Sequence, residues 1–212
     1  MSAIMHHVPD PLMAAYAAGS LGHGFDLAVA AHVSMCDDCR AQLAAHQSAG
    51  GAVLEGCDSA AISGDLRARV MAGLTAPAPT APARCGRQDI YPGPVAQALG
   101  GQPPRWRSIG RGGRQCILHD GPDGVARLLY LPASQVVPEH GHNGLELTLV
   151  LQGSFHDETG KFGVGDLAVA DAMVDHTPTT GPGEACICLA VSDAPLRFAA
   201  LIPRLTQRLF RF

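Results

Sequence analysis

The chain has 212 residues, of which 47% are apolar, 16% charged and 5% aromatic, and its formal net charge is −4 at pH 7. This length accommodates one large domain or two small ones, and the apolar fraction suffices for folded cores. The negative charge argues against broad phosphate contact, and no apolar run approaches a membrane span, so we expect neither direct nucleic-acid binding nor membrane insertion.

The N-terminal residues and the cysteines predict a cytoplasmic location. Residues 1–7 contain neither the basic nor the apolar region of a signal peptide, so we expect none. The seven cysteines are an odd number, and Cys36 and Cys39 have the C-x2-C spacing of metal ligands. Both features favour a reducing compartment over a disulfide-bonded fold.

Residues 1–74 are predicted to form a small domain of four short helices. Three helices begin at residues suited to N-capping, namely Asp10, Ser34 and Ser63. The other spans about 25–32, and Gly50-Gly51 ends or interrupts the helix that follows Ser34. So few large apolar side chains leave a thin core, which a bound metal would reinforce.

A metal-ligand pattern, H-x3-C-x2-C, lies in this helical region at His32, Cys36 and Cys39. Residues three and four apart share a helix face, and a break near Ser34 would also bring the three side chains together. A fourth ligand must come from elsewhere, and either His6 or His7 is a candidate. Such a closed His2Cys2 set is typical of structural zinc. The alternative is that both cysteines are ordinary thiols without a metal.

A segment rich in Pro and Ala, residues 75–87, contains no periodic apolar pattern and predicts an extended linker. We place the linker at 75–102, with a short helix near Val95–Leu99. It separates the helical domain from a second domain at residues 103–212.

The second domain is predicted to be an all-β sandwich or barrel. Turn residues separate five apolar or alternating runs: Gln115–Leu118, Val125–Leu131, Leu145–Gln152, Asp166–Ala170 and Ala185–Val191. The tail from Pro195 to Phe212 alternates apolar and basic residues, which suits an extra strand or an arm packed on the barrel. Cys186 and Cys188 share a strand face, where they act either as redox partners of a metal or as small core residues.

A second metal-ligand pattern, H-x-H-x3-E, lies in this domain at His140, His142 and Glu146. Both histidines lie on one face of a strand, because side chains alternate, and Glu146 can return to the same pocket after a bend. His176 follows a later strand and is the candidate fourth ligand. Three imidazoles and a carboxylate suit zinc, iron, manganese or nickel and leave positions open for ligand exchange or chemistry.

Each half of the chain resembles a known family. An N-terminal His followed about 25 residues later by H-x3-C-x2-C is the pattern of the zinc-binding anti-sigma domain, a small four-helix unit that clamps a sigma factor. The segment from His140 to Gly153 resembles the first cupin motif, although Ser134 replaces its leading glycine. The second cupin motif is met only loosely, because His176 comes later than it requires. An unmetallated cupin is the alternative.

Taken together, the chain resembles the ChrR family of anti-sigma factors over nearly its whole length. That family has a His-His pair near its start whose second member is the ligand, so the resemblance favours His7 over His6. It implies zinc at both sites and a 1:1 complex with a sigma-E-like extracytoplasmic-function sigma factor. It also implies release in response to singlet oxygen or organic peroxides through the cupin, without enzymatic activity. The rival interpretation is a metal-dependent, dioxygenase-like cupin enzyme with an N-terminal zinc module.

Overall fold

The computed structural model describes residues 3–74 and 86–198, and helices precede strands as predicted. The helices are α1 (Asp10–Ala17), α2 (His23–Val33), α3 (Asp37–Glu55), α4 (Leu66–Gly73) and α5 (Gly93–Ala98). The first four correspond to the predicted helices, and α5 to the short helix expected near residue 95. None of the helices in the described ranges is both long and apolar enough to cross a bilayer.

Several details of the helical region differ from the prediction. The N-cap positions of α1 and α4 are Pro9 and Asp65, not Asp10 and Ser63. Ser34 ends α2, donating from its hydroxyl to the Ala31 carbonyl at 2.7 Å, and Cys36 caps α3 by accepting the Cys39 N–H at 3.5 Å. The residue predicted as a cap was therefore wrong, because the sulfur of Cys36 faces the free N–H groups of the helix. Gly50-Gly51 does not interrupt α3, since both residues have negative φ and an interior glycine costs only about 1 kcal/mol.

The second half contains twelve strands among the described residues, including all five that were predicted. They are β1 (Arg107–Gly110), β2 (Gly113–Gly121), β3 (Gly124–Leu131), β4 (His140–His142), β5 (Glu146–Gln152), β6 (Phe155–Asp157), β7 (Gly160–Phe162), β8 (Leu167–Ala170), β9 (Asp175–His176), β10 (Thr179–Thr180), β11 (Cys186–Ser192) and β12 (Leu196–Phe198). The first part of the predicted tail is thus a strand. The rest of the tail, and residues 75–85 of the predicted linker, lie outside the described residues.

The strands form a cupin-like sandwich, as expected. One six-stranded sheet has the order β1-β2-β3-β11-β5-β8. Two three-stranded sheets, β10-β6-β7 and β12-β4-β9, make up the rest. A small apolar core of Val150, Phe155, Phe162 and Cys186 joins β5 and β11 of the large sheet to β6 and β7. The short strand β4 lies between β9 and β12, and this pairing places its histidines beside His176.

Helix α2 packs directly on the outer face of the six-stranded sheet. Ala28 of α2 is fully buried in the same apolar core as Leu128 of β3 and Leu189 of β11. The approach is so close that a side chain on Gly24 would meet Val191 at 2.9 Å. Helix and sheet therefore bury one continuous core, which makes the two halves of the chain a single packed unit.

Candidate metal centres

The N-terminal cluster consists of His7, His32, Cys36 and Cys39, whose ligand atoms all lie within 4.8 Å of one another. His32 Nε2 is 3.2 Å from Cys39 Sγ, and His7 Nδ1 is 3.3 Å from Cys36 Sγ and 3.7 Å from Cys39 Sγ. Tetrahedral zinc with ordinary bond lengths would place such ligand atoms about 3.3–3.8 Å apart. The donor set and its spacing therefore fit a closed tetrahedral metal site.

Local chain geometry positions three of these ligands. His32 lies in the last turn of α2, and its carbonyl accepts the N–H of Met35 at 2.8 Å and of Cys36 at 2.9 Å. This tight turn leads straight into α3, whose N-terminal turn carries Cys36 and Cys39. His7 arrives from the segment that precedes α1. The neighbouring His6 points elsewhere, toward Phe162 and Asp166, so the structure brings His7 and not His6 into the cluster.

Burial sets the protonation of this cluster in the absence of a cation. It lowers the pKa of His32 to about 4 and raises the pKa of Cys39 to about 11. His32 is therefore a neutral imidazole at pH 7, ready to bind a metal. The Cys39 thiol holds its proton until a cation replaces it, so metal binding releases protons and strengthens as pH rises.

The second cluster consists of three buried histidines inside the cupin sandwich. His140 and His142 belong to β4, and His176 belongs to β9, where it is the register partner of His140. The Nε2 atom of His176 is 3.1 Å from the Nε2 atoms of both other rings. Metal–nitrogen bonds of ordinary length separate two imidazole nitrogens by about 3.0 Å at right angles and about 3.4 Å at tetrahedral angles. The three rings thus fit one face of a metal's coordination shell.

Hydrogen bonds to the other ring nitrogens explain why these Nε2 atoms are available. His140 Nδ1 donates to the Pro138 carbonyl at 2.8 Å, and His176 Nδ1 donates to the Asp157 carboxylate at 2.7 Å. A neutral imidazole that donates from Nδ1 has a lone pair on Nε2. Lone pairs from His140 and His176 therefore face each other at 3.1 Å, an arrangement that a bound cation stabilises.

Glu146, predicted as a ligand of the same metal, lies beside the three histidines and not among their converging atoms. Its Oε2 atom is 3.8 Å from Nδ1 of His142, the nitrogen on the far side of that ring. Thr148 donates to its other oxygen at 3.2 Å, and burial raises its pKa. In this geometry Glu146 and His142 are too far apart for a hydrogen bond, and direct ligation by Glu146 stays a prediction.

Two charged residues with buried side chains in the cupin half carried no recognisable sequence motif. Asp157 of β6 holds His176; burial alone would raise its pKa, but hydrogen bonds from Thr159 and His176 lower it. Arg127 of β3 is only 4% exposed and donates to Gln115 at 3.3 Å, and burial lowers its pKa to about 10. In the sequence, Arg127 stands out only as a charged residue within the apolar run that forms β3.

Cys186 and Cys188 both lie in β11 and are buried free thiols. A hydrogen bond between their side chains, together with burial, raises the pKa of Cys188 well above its ordinary value. Cys186 packs in the apolar core between the sheets. The predicted shared face is therefore present, and the Cys188 thiol is protonated at neutral pH.

We expect the metal-free protein to lose stability as pH falls from about 6.5 to about 4. Burial lowers the pKa of His32, His140 and His142 to about 4, whereas in the unfolded chain each keeps its ordinary value near 6.5. Between pH 6.5 and pH 4 the unfolded state binds more protons than the folded state does. The free energy of unfolding therefore decreases as the pH is lowered.

Urea unfolding of chelator-treated protein at a series of pH values measures this dependence. His142→Gln should reduce the slope, because one of the groups with a lowered pKa is removed. His156→Gln, a change of an exposed histidine in β6, should leave the slope unchanged. A free energy of unfolding that is constant across the window would contradict the expected protonation states.

Comparison with known proteins gives one family match in the cupin half and two matches over nearly the whole chain. Residues 102–195 match the ChrR cupin-like domain family. The anti-sigma-E factor ChrR of Cereibacter sphaeroides is 49% identical over 211 residues, which cover 98% of this chain and 99% of that protein. A chain in the crystal structure of Rhodobacter sphaeroides SigE in complex with the anti-sigma ChrR is 46% identical, with a TM-score of 0.80 over 90% of this chain and 99% of that chain.

The matches extend through both halves, so they include the helical metal cluster as well as the cupin. The resemblance inferred from the motifs is thereby confirmed. Identity of this extent over nearly the whole of both sequences shows that the chain belongs to the ChrR family of anti-sigma factors.

Proposed function

We propose that this protein is an anti-sigma factor that binds a sigma-E-like extracytoplasmic-function sigma factor in a 1:1 complex and keeps it inactive. The relatives are named as an anti-sigma-E factor and as an anti-sigma in complex with SigE, and both match this chain almost end to end. Because such a partner works with RNA polymerase, we place the protein in the cytoplasm.

An exposed apolar arm in the helical half carries this proposal. We define the α3–α4 arm as residues 47–74, the second half of α3 with α4. Most of the large apolar side chains that are exposed in the described ranges belong to it: Val53, Leu54, Ile62, Val70, Met71 and Leu74. Helix α4 has no buried residue and is exposed from Arg67 to Gly73.

Such an arm is not explained by the packing of this chain alone. An isolated eight-residue helix is not stable in water, because the cost of nucleation exceeds the gain from so few hydrogen bonds. A contiguous exposed apolar surface typically marks a site of protein association. The arm therefore has the properties of a binding element that a partner covers, which is what an anti-sigma factor requires.

We expect the double change Val70→Asp and Leu74→Asp to weaken sigma binding by at least about a hundredfold, because two apolar contacts are replaced by charges at the interface. Both residues are exposed, at 55% and 72%, so the fold and the metal content should not change. Titration calorimetry with the cognate sigma factor measures the affinity.

Val136→Asp is the matched control, because Val136 is 51% exposed and lies in the cupin half. It should bind the sigma factor like the unchanged chain. If the arm variant and the control bind equally well, the arm is not the binding surface.

For the structural role of the N-terminal cluster, we propose that His7, His32, Cys36 and Cys39 hold zinc. Their donor types and tetrahedral spacing support zinc, which joins the end of α2 and the start of α3 to the segment before α1. That junction forms the base from which the α3–α4 arm extends. A metal here therefore stabilises the orientation of the binding element.

For the cupin half, we propose a sensing role in which His140, His142, Glu146 and His176 hold zinc or another divalent metal. Singlet oxygen or organic peroxides, or their products, would act at this site and cause release of the sigma factor. The convergent imidazole lone pairs support metal binding, and the core shared by α2 and the sheet supports transmission to the helical half. A metal with open positions supplies a point at which an oxidised ligand can bind.

The dioxygenase-like alternative is not favoured. The relative that matches both halves of this chain is a regulator, and the helical metal cluster with its exposed arm has no role in a free-standing enzyme.

A further inference from the structure

The segment before α1 is bound to the cupin half through its backbone. We call residues 4–7 the N-terminal strap. One carboxylate oxygen of Asp166 accepts the N–H of Met5 at 2.6 Å and the N–H of His6 at 2.9 Å. The N–H of Leu167, at the start of β8, donates to the His6 carbonyl at 3.1 Å. The strap is therefore paired with the turn between β7 and β8, immediately before the ligand His7.

Side chains reinforce this contact. The His6 ring lies 4.4 Å from the ring of Phe162, centroid to centroid, and its Nδ1 atom is 3.5 Å from Asp166. Gly165 has a φ of +93°, and a side chain there would meet Ile4 at 2.6 Å. The turn thus lacks a side chain at the point where the strap crosses it.

The same turn also reaches the second histidine of the N-terminal cluster. Burial dominates the pKa of His32 and lowers it, while the nearby Gly165 backbone acts in the opposite direction. Asp166 is held within the turn, because its other carboxylate oxygen accepts the Gly163 N–H at 2.8 Å. Both imidazole ligands, His7 through the strap and His32 directly, therefore border one four-residue turn of the cupin.

The hairpin that carries this turn contacts the other metal cluster at its opposite end. Strand β6 ends at Asp157, which accepts a hydrogen bond from His176, and β7 leads through Phe162 into the turn. Glu158, the residue that follows Asp157, accepts the Thr177 N–H at 3.0 Å. One short hairpin therefore contacts the cupin histidines at one end and the strap at the other.

We propose that Asp166 is a positioning residue for the N-terminal metal site, and that the β6–β7 hairpin links this site to the cupin histidines. Asp166 fixes the backbone of the strap, so that His7 is already placed beside Cys36 and Cys39 when metal binds. The idea that this link transmits a signal rests on the proposed function. The effect of the link on metal retention can be tested without a sigma factor.

Alkylation of Cys36 and Cys39 in the zinc-loaded full chain tests the positioning role. The protein is incubated with chelator and a thiol reagent, and mass spectrometry of the peptide with both cysteines follows modification over time. Asp166→Ala should accelerate it about tenfold or more, the usual effect of removing a residue that orients a ligand. Asp166→Asn keeps an amide oxygen that accepts the strap N–H groups but loses the acceptor for the Gly163 N–H, so it should restore part of the protection.

Asp171→Ala is the matched control, because Asp171 caps a loop of the same domain through the Met173 N–H. It should behave like the unchanged chain. Metal content of the cupin histidines is measured in parallel, since a merely structural role of Asp166 would release both metals together. Equal alkylation rates in the Asp166→Ala, Asp171→Ala and unchanged proteins, or equal loss of both metals, would overturn the proposal.

A second variant provides another test if Asp166→Ala does not fold. Replacing Met5 and His6 by proline removes both N–H groups that Asp166 accepts but leaves His7 and the cupin turn intact. Faster alkylation of Cys36 and Cys39 supports the proposal. Protection equal to that of the unchanged chain contradicts it.

The link between the two sites is tested with His176→Ala in two backgrounds. In the unchanged chain it should accelerate alkylation of Cys36 and Cys39 about fivefold or more, the range of ordinary coupling between sites. In the Asp166→Ala background, His176→Ala should cause no further increase in the alkylation rate, because the contact between the turn and the strap is already lost. No effect in the unchanged chain would exclude the link. Sigma binding is measured separately, so failure of the proposed function is distinguished from failure of this inference.

Discussion

Replacing both Cys36 and Cys39 by serine is expected to abolish metal binding by the helical half and to weaken sigma binding by at least about a hundredfold, since structural zinc supplies much of the folding free energy of such small units. Cys36 and Cys39 are buried and contribute half of the ligand set. Serine remains a good N-cap for α3, so the loss would report on the metal and not on capping.

Metal content by mass spectrometry and sigma affinity by calorimetry check this expectation. Cys57→Ser is the matched control, because Cys57 is an exposed free thiol at the end of α3, outside the cluster. Because Cys57 lies within the α3–α4 arm, this variant controls for metal content only, which should not change. Retention of one zinc in the helical half and of sigma binding in the double variant would contradict a structural metal at this site.

The second large effect is expected in the cupin. His140→Ala combined with His176→Ala should eliminate oxidant-dependent release of the sigma factor. At saturating zinc, the affinity of this double variant for the sigma factor should stay within about threefold of that of the unchanged chain, because the two sites are far from the binding surface. The reason is spatial: these histidines lie inside the cupin sandwich, whereas the exposed apolar arm belongs to α3 and α4.

Release is followed by retention of the sigma factor on the immobilised protein, with and without singlet oxygen or an organic hydroperoxide. His156→Ala, an exposed change in β6, serves as the control and should respond normally. A cupin double variant that still releases its partner on oxidation would show that the signal acts elsewhere.

The two ligand patterns could be recognised from the sequence because both are local. His32, Cys36 and Cys39 lie within eight residues, and the tight turn between α2 and α3 is sufficient to bring them together. His140 and His142 share a face simply because strand side chains alternate. The five long strands were also predictable, since apolar runs bounded by turn residues recur along residues 113–192.

Capping details and short strands were less predictable. A cysteine is not a usual N-cap, so the start of α3 was assigned to Ser34 and not to Cys36. Strands such as β4 and β9 have three and two residues, too few to show any periodicity. They form because neighbouring strands complete their hydrogen bonds.

The order of helices and strands, the two candidate ligand patterns and, through resemblance, the family can all be inferred from the amino-acid sequence. The hydrogen-bond partners of these histidines depend on how the chain folds. Asp157 meets His176 across 19 residues, and Asp166 meets His6 across 160. Nothing in the local pattern marks either carboxylate, because such contacts arise from burial of a core shared by α2 and the sheet and not from spacing along the chain.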